Sequence, residues 1–386
     1  MTTKKTSSAD PWGNRGNYVA EFYGRRLYPV VATSESAVAD QGARRCPFLT
    51  TMVGTDTGCT KTAKGSLGVC TISSVANGVR LDWPVCPIRI LDTELLREMS
   101  RRLFGYAPET PVGVVAANAL KIADKREELL QALKEGIPTV VFFHGKLGGE
   151  IAMSKTTRSP AMSFDVTMIE LLPSGEGFTF GRYGIFEIQT MDFHGSYETA
   201  TSELAKAMDD PARDLTAELA QTPTPGWLGS GIETPNLSNV FKRTFYQMMF
   251  KFQLGGHGRS AGCIFAIPRP VWDSWQPHLG APTLTENPDG TWQLGEPSLE
   301  GTAQSPTWIY VFDVEETATV HPNRIKPWKV IATDASTLSR YALDVAPAAA
   351  LEPGGAADRI MITVEKRLRS FWKTMPIDDG QDSLFS

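Results

Sequence analysis

The 386-residue chain has no apolar run near the roughly 20 residues that cross a bilayer, and its first ten residues are polar rather than leader-like. Those absences create the expectation of a cytoplasmic protein with no membrane partner. Cysteine is scarce, five in all, which excludes a small scaffold held together by disulfides. Neither charge dominates: 38 Lys+Arg stand against 43 Asp+Glu, a formal net charge of -5. That balance disfavours a nonspecific nucleic-acid coat but leaves local basic patches open, because phosphates feel charge within about 10 Å. With 41% apolar residues, and 34 Gly and 26 Pro without a repeat, the chain is neither disordered nor collagen-like. It is long enough for two or three structural units and a full core with no metal needed for size.

The few cysteines are not scattered. Cys46, Cys59, Cys70 and Cys86 fall in the first quarter of the chain, and only Cys263 lies elsewhere. In a reducing compartment, four thiols in a Gly- and Thr-rich stretch suit a tetrahedral Zn or Fe ion; buried, unliganded cysteines are the alternative. The gaps are long and no CxxC knuckle is present, so standard finger folds do not apply. A shell of four protein ligands is closed to substrate, so such a site is structural and catalysis belongs elsewhere.

Periodicity predicts an α/β protein with a mixed sheet. A helix is expected over Ile122 to Glu135, and strands over Ile137 to His144, Gly149 to Lys155, Ser163 to Leu172 and Phe178 to Met191. There follow a helix near Glu198 to Met208, a Pro/Gly loop from Thr222 to Pro235 and a strong helix from Asn236 or Ser238 to about Leu254, stopped by Gly255-Gly256. A strand at Cys263 to Ile267 and a short helix at Val271 to His278 come next. Strands at Trp308 to Val314 and near Lys329 to Ala332, a low-complexity stretch Ala346 to Ala357 and a basic helix ending at Lys373 complete the chain.

Two neighbouring strand signals carry the chemistry. Asp165 sits at the start of one; Glu187 and Gln189, at i and i+2 of the other, face one side of it while Phe186 and Ile188 face the other. An acid on one strand and an acid-x-polar pair on the next resembles the PD-(D/E)xK nuclease core, whose carboxylates hold Mg²⁺ beside the scissile phosphate. Solvated strand-edge acids are the plain alternative. Phe164 stands where that pattern has Pro, and Gln189 where it has Lys. An amide orients water but neither takes its proton nor supplies positive charge. Glu150, ahead of the alternating strand, is a candidate third carboxylate.

Longer runs carry a more specific likeness: AEFYG (Ala20 to Gly24), CPFLT (Cys46 to Thr50), RRLFGY (Arg101 to Tyr106), KLGGE (Lys146 to Glu150), SFD (Ser163 to Asp165), EIQTMDFHGSY (Glu187 to Tyr197) and PNLSNVFKRTFYQM (Pro235 to Met248). Together they resemble the NotI family of type II restriction endonucleases, over most of the chain from Tyr18 to Leu279. The resemblance implies a homodimer that cuts both strands of a GC-rich palindrome, GCGGCCGC-like, with catalytic Mg²⁺, leaving 5′-phosphate and 3′-hydroxyl ends. It implies a cognate methyltransferase in the host, an iron held by Cys46, Cys59, Cys70 and Cys86, and an active site of Glu150, Asp165, Glu187 and Gln189. On this comparison the Ile188 carbonyl joins the carboxylates on the metal, and the missing Pro and Lys are shared with the family. The expected layout is a flexible N-terminus (1–17), a region with the four-cysteine metal-binding fold (18–110), a PD-(D/E)xK nuclease core flanked by helices (111–280) and a C-terminal region (281–386). Gly65 to Gly68 and most of the chain after Ala281 depart from the family, and base recognition is the property that departure touches.

DNA-binding candidates follow from chemistry. Arginine is the commonest reader of guanine in the major groove, so the GC-rich site that the resemblance implies makes Arg44, Arg45 and Arg89, which adjoin the cysteines, the first candidates, with solvated surface charges as the alternative. Lys242 and Arg243, on the strong helix, are candidates for phosphate; the helix also carries Lys251 among aromatic residues expected in the core. His194 and His257 are expected to be packed or hydrogen-bonded, with DNA contact second. Two other classes compete with the nuclease: a noncatalytic metal-stabilised DNA-binding protein, and a hydrolase pairing Cys263 with His257 or His278.

Overall fold

The computed structural model describes residues 16–28, 32, 34–61, 65–76, 78–175, 177–220, 225–295, 307–315 and 320–374. The expected flexible N-terminus therefore lies outside the described residues, except for its last two. The N-terminal part builds a four-stranded antiparallel sheet from β1 (Tyr18–Phe22), β2 (Arg25–Arg26), β3 (Val69–Ala76) and β4 (Val79–Pro84), in the order β2-β1-β3-β4. Between β2 and β3 run helices α1 (Glu35–Gly42) and α2 (Pro47–Val53), and helix α3 (Thr93–Phe104) follows β4. The Asp92 side chain accepts from the Glu94 and Leu95 amides at the start of α3, and Gly105 ends it in the left-handed conformation. Its buried Leu95, Leu96, Met99 and Leu103 recur at helical spacing.

A large mixed sheet flanked by helices forms the rest. Its first strands are β5 (Gly113–Ala116) and β6 (Thr139–Phe143), separated by helix α4 (Ala123–Lys134). A short hairpin, β7 (Ile151–Met153) with β8 (Met162–Phe164), precedes the long pair β9 (Val166–Ser174) and β10 (Gly177–Ile188). After β10 come the small pair β11 (Phe193–Gly195) and β12 (Ile232–Pro235), separated by helices α5 (Glu198–Asp209) and α6 (Leu215–Leu219). Helix α7 (Leu237–Gly255) then leads into β13 (Ser260–Pro268), followed by helix α8 (Arg269–Trp275). Strands β14 (Leu284–Glu286), β15 (Trp292–Leu294), β16 (Thr307–Val314) and β17 (Ile325–Thr333) complete the sheet, in the order β14-β15-β17-β16-β13-β10-β9-β6-β5.

All nine residues of β13 are buried, as befits a central strand covered on both faces. It runs parallel to both β10 and β16, while β10 and β9 are antiparallel. One core cluster joins the cysteine segment, α3 and one face of the sheet; a second packs α7 and α8 on the other. No described helix is long and apolar enough to cross a membrane.

Several expectations change here. The segment after 280 is not a region apart, because it supplies four of the nine strands of the central sheet. The strand expected over Ser163 to Leu172 is two strands, since the chain breaks its pairing at Asp165. The one expected over Gly149 to Lys155 shrinks to three residues in a side hairpin. The low-complexity stretch is helical: α9 (Ala335–Arg340) leads through a π turn to α10 (Ala346–Leu351), and then α11 (Ala356–Phe371). Alanine favours helix whatever the complexity of the run around it.

Candidate active site and cysteine segment

The break at Asp165 positions the site. Parallel pairing sets Glu187 beside Phe265 at the end of β10, and antiparallel pairing sets Phe186 opposite Val166, one residue after Asp165. The two acids are therefore brought together and interlocked through the backbone. The Asp165 amide donates to Glu187 Oε1 (3.2 Å), and the Ile188 amide donates to Asp165 Oδ2 (3.0 Å). His144, at the end of β6, has its Nδ1 2.6 Å from the Asp165 carbonyl and is itself buried.

Helix α7 closes the site from above. Thr244, Met248 and Lys251 fall on one face of it at i, i+4 and i+7, and all three are buried. Thr244 donates to Gln189 Oε1 (2.5 Å), and the Gln189 amide donates to the Thr190 carbonyl. Lys251 Nζ is ion-paired with Glu187 Oε2, their side chains 4% and 7% exposed. Burial, and next the negative charge of Asp165, push the Glu187 carboxyl up to about 8 in spite of that ion pair.

Two neighbouring carboxylates suit Mg²⁺, which is held by one or two of them and completes its shell with water and phosphate oxygens. Glu150 is exposed and lies on the wall of a cavity of about 680 Å³ together with His144, Lys146, Asp192 and Tyr197. Among the described residues no set of three or more His, Cys, Asp or Glu side chains is disposed to hold a metal ion. Glu150 is thus not gathered with Asp165 and Glu187 into a three-carboxylate cluster.

The same finding bears on the cysteines: no four-cysteine site is formed in this structure. All four are free thiols, with Cys46, Cys70 and Cys86 buried and Cys59 partly so. They are nevertheless electrostatic neighbours. Burial, and then the charge Cys86 and Cys59 would carry as thiolates, push the Cys46 thiol up to about 12; Cys70 is raised too, by burial, then by Cys86. Cys59 Sγ accepts from the Gly68 amide (3.4 Å), and Cys70 Sγ donates to the Gly68 carbonyl (3.4 Å). Gly68 is left-handed (φ 79°), and a Cβ there would meet the Tyr23 ring at 2.5 Å. Cys46, Cys59 and Cys86 line the cavity that Glu150 and His144 share, which joins the two candidate regions.

The basic candidates divide. Arg89 is not available to DNA: it is 1% exposed and pairs bidentately with buried Glu21 (2.8 and 2.9 Å). A short turn just after Cys86 points its side chain inward, which adjacency in sequence does not reveal. Arg45 is paired with Asp40 and Asp56, and Arg44 with Asp209 across an exposed bridge. Lys242 is exposed, and Arg243 makes an open contact with Asp192 (3.4 Å). His194 and His257 are exposed, the latter 6.3 Å from the Tyr183 ring, and His278 stacks on Phe241. Cys263 is fully buried in the central strand with its thiol pushed well up by burial, so it is no nucleophile.

Lys251 and His144 are the site residues that residue patterns alone did not assign. The i+7 spacing from Thr244 to Lys251 was a signal for one helix face, but the strand end it covers was not legible. In comparisons with known proteins, no family model matches the chain and no curated protein matches it significantly.

Proposed function

We propose that the chain is a type II site-specific deoxyribonuclease of the PD-(D/E)xK kind that cuts double-stranded DNA. The observation that carries this reading is the interlocked pair of Asp165 and Glu187 at adjacent strand ends, with Gln189 two residues after Glu187, just past the end of β10. Asp165 and Glu187 would hold Mg²⁺, with the Ile188 carbonyl as a further oxygen donor. When bound, the ion supplies Lewis-acid stabilisation of charge on the scissile phosphate and lowers the pKa of the attacking water. Gln189, held by Thr244 and Thr190, is poised to orient that water rather than to deprotonate it. Glu150 and His144 face the shared cavity, where they would meet the DNA backbone or its waters.

The finer features of the reading are those of the NotI family: a GC-rich palindromic site, 5′-phosphate ends, a cognate methyltransferase and a homodimer. One site cuts one strand, and a twofold protein matches a palindrome. Cys46, Cys59, Cys70 and Cys86 would hold a structural Fe or Zn ion. Their thiols are free and mutually close in charge, and closure on an ion goes together with their deprotonation. Such an ion would fix the wall of the cavity and lower the ordering cost of binding.

The test is a digest of unmethylated GC-rich DNA by purified protein in Mg²⁺, with Glu187→Ala and EDTA controls and the fragment ends sequenced. Discrete fragments sharing one end sequence, absent from both controls, support the reading. No cleavage by folded, metal-loaded protein would sink it in favour of a noncatalytic, metal-stabilised DNA-binding protein.

A further inference from the structure

The Glu-x-Gln pair leaves the site without the cation that a Glu-x-Lys pair would place beside the second carboxylate. Gln189 cannot stand in for it, because its amide is neutral and both its ends are bonded, to Thr244 and to Thr190. A buried lysine is rare and costly unless paired. Lys251 is 4% exposed, on a helix face whose neighbours Met248 and Phe252 are apolar, and its Nζ lies on Glu187 Oε2 and 5.7 Å from the Phe164 ring. An apolar side chain would fill that face at less cost, unless the charge is used.

We infer that Lys251 is a positioning residue of the catalytic centre, supplying from α7 the positive charge that the β10 strand lacks at Gln189. Its ammonium fixes Glu187 Oε2, so that the Glu187 side chain stays beside Asp165, and it offsets the negative charge of two carboxylates and an incoming phosphate at some cost in cation affinity. The inference rests on the nuclease reading, and it makes the cation a property of the site rather than of one strand position.

A lysine that merely satisfies Glu187 would be replaceable by any donor. Lys251→Gln keeps a donor and removes the charge; Lys251→Arg keeps both. The proposal expects Lys251→Gln to cleave roughly 100-fold more slowly in single turnover, and Lys251→Arg to stay within about tenfold of the parent. The double variant Lys251→Gln/Gln189→Lys, with the charge moved back to the strand, should recover at least tenfold over Lys251→Gln. Mn²⁺ titration by calorimetry without DNA is the readout independent of cleavage. Removing the competing charge should tighten Mn²⁺ several-fold in Lys251→Gln, and the double variant should lose that gain.

Melting curves establish that each variant is folded; should Lys251→Gln not fold, Lys251→Met, which also removes the charge while keeping the length of the side chain, carries the same comparison. Cleavage by Lys251→Gln within threefold of the parent, or unchanged Mn²⁺ affinity, would overturn the inference. A parental protein that cuts no DNA would instead overturn the nuclease reading, and the Mn²⁺ titrations would still decide whether Lys251 belongs to a cation site.

Discussion

Cys46 and Glu187 are both buried groups whose ionisation their surroundings oppose, yet only Glu187 has a cation of the chain in contact with it. Around the thiols, the positive charge of Lys61 opposes the rise of Cys70 less than burial and Cys86 drive it, and the Lys61 ammonium donates to the Val69 carbonyl (2.7 Å). The nearby Arg89 is already committed to Glu21. At the carboxylates, Lys251 is in place and the backbone interlocks Asp165 with Glu187. The difference teaches where order originates. The strand ends are assembled by the fold itself, whereas four mutually repelling thiolates would need an external positive charge to come together.

The comparison is broken most severely at the carboxylates. Asp165→Ala or Glu187→Ala should slow cleavage by at least about 1,000-fold, some 4 kcal/mol of transition-state stabilisation, while DNA binding measured in Ca²⁺ stays within a few-fold. An Asp165→Ala protein that folds and cuts at the parental rate would remove the basis of the site. Stripping a thiolate-held ion should act oppositely. A thiol-selective chelator is expected to lower the melting temperature, whereas EDTA sufficient to remove Mg²⁺ alone stops cleavage and leaves the melt unchanged. Equal melts with and without the chelator, with metal analysis showing no Fe or Zn beforehand, would leave the cysteines as ordinary packing residues.

Next in size is the ion pair beneath the cysteine segment. Arg89→Met strands the Glu21 carboxylate, 0% exposed, with Thr71 as its remaining side-chain partner. Removing one member of a buried pair costs about 3–5 kcal/mol, so denaturant unfolding should show a fall of that order. Sequence-specific binding by protein that remains folded should be intact, because Arg89 points into the core. Loss of specificity without loss of stability would restore it as a base reader.

How much of this was legible in sequence depends on whether a feature is local. Helix α7 was located within a residue or two, because its apolar spacing and glycine stop are carried by consecutive residues. Asp165, Glu187 and Gln189 were singled out by strand alternation, and the fold brings the two acids together. Alternation did not reveal that β9 begins after Asp165, since a pairing break has no periodic signature. Lys251 was visible only as a charge on an aromatic helix, and its role depends on which strand end α7 crosses. Arg89 misled for the same reason: its partner Glu21 is 68 residues away. The C-terminal strands were partly legible as apolar runs, but their membership in the central sheet is a matter of long-range pairing.

The raised Glu187 carboxyl gives a pH test of intermediate size. A carboxyl raised from 4.5 to about 8 on folding contributes stability that is fully present below about 4.5 and lost as pH rises toward 8. Glu187→Gln cannot titrate, so its melting temperature relative to the parent should climb between pH 5 and pH 8, by several degrees, and level off above. A difference that does not change with pH would show Lys251 to have cancelled the effect of burial.

The smallest effects belong to the exposed face of α7. Lys242 is exposed and in no ion pair among the described residues, and Arg243 reaches Asp192 only at 3.4 Å with both side chains more than 60% exposed. Breaking so open a pair costs little stability, so Lys242→Ala and Arg243→Ala should melt within about a degree of the parent. If these side chains meet phosphates, each substitution weakens binding to cognate and unrelated duplexes alike, and lowers the slope of log K against log salt by about one. Arg44, beside Cys46 and in an exposed bridge to Asp209 (2.8 Å), provides the contrast from the cysteine segment. A base contact there would make Arg44→Ala lose cognate binding more than unrelated binding, with discrimination of about 1–3 kcal/mol at one base position. Equal losses on both duplexes would place Arg44 with the phosphate contacts. Base reading would then have to come from other side chains, and the division of labour between the cysteine segment and α7 would disappear.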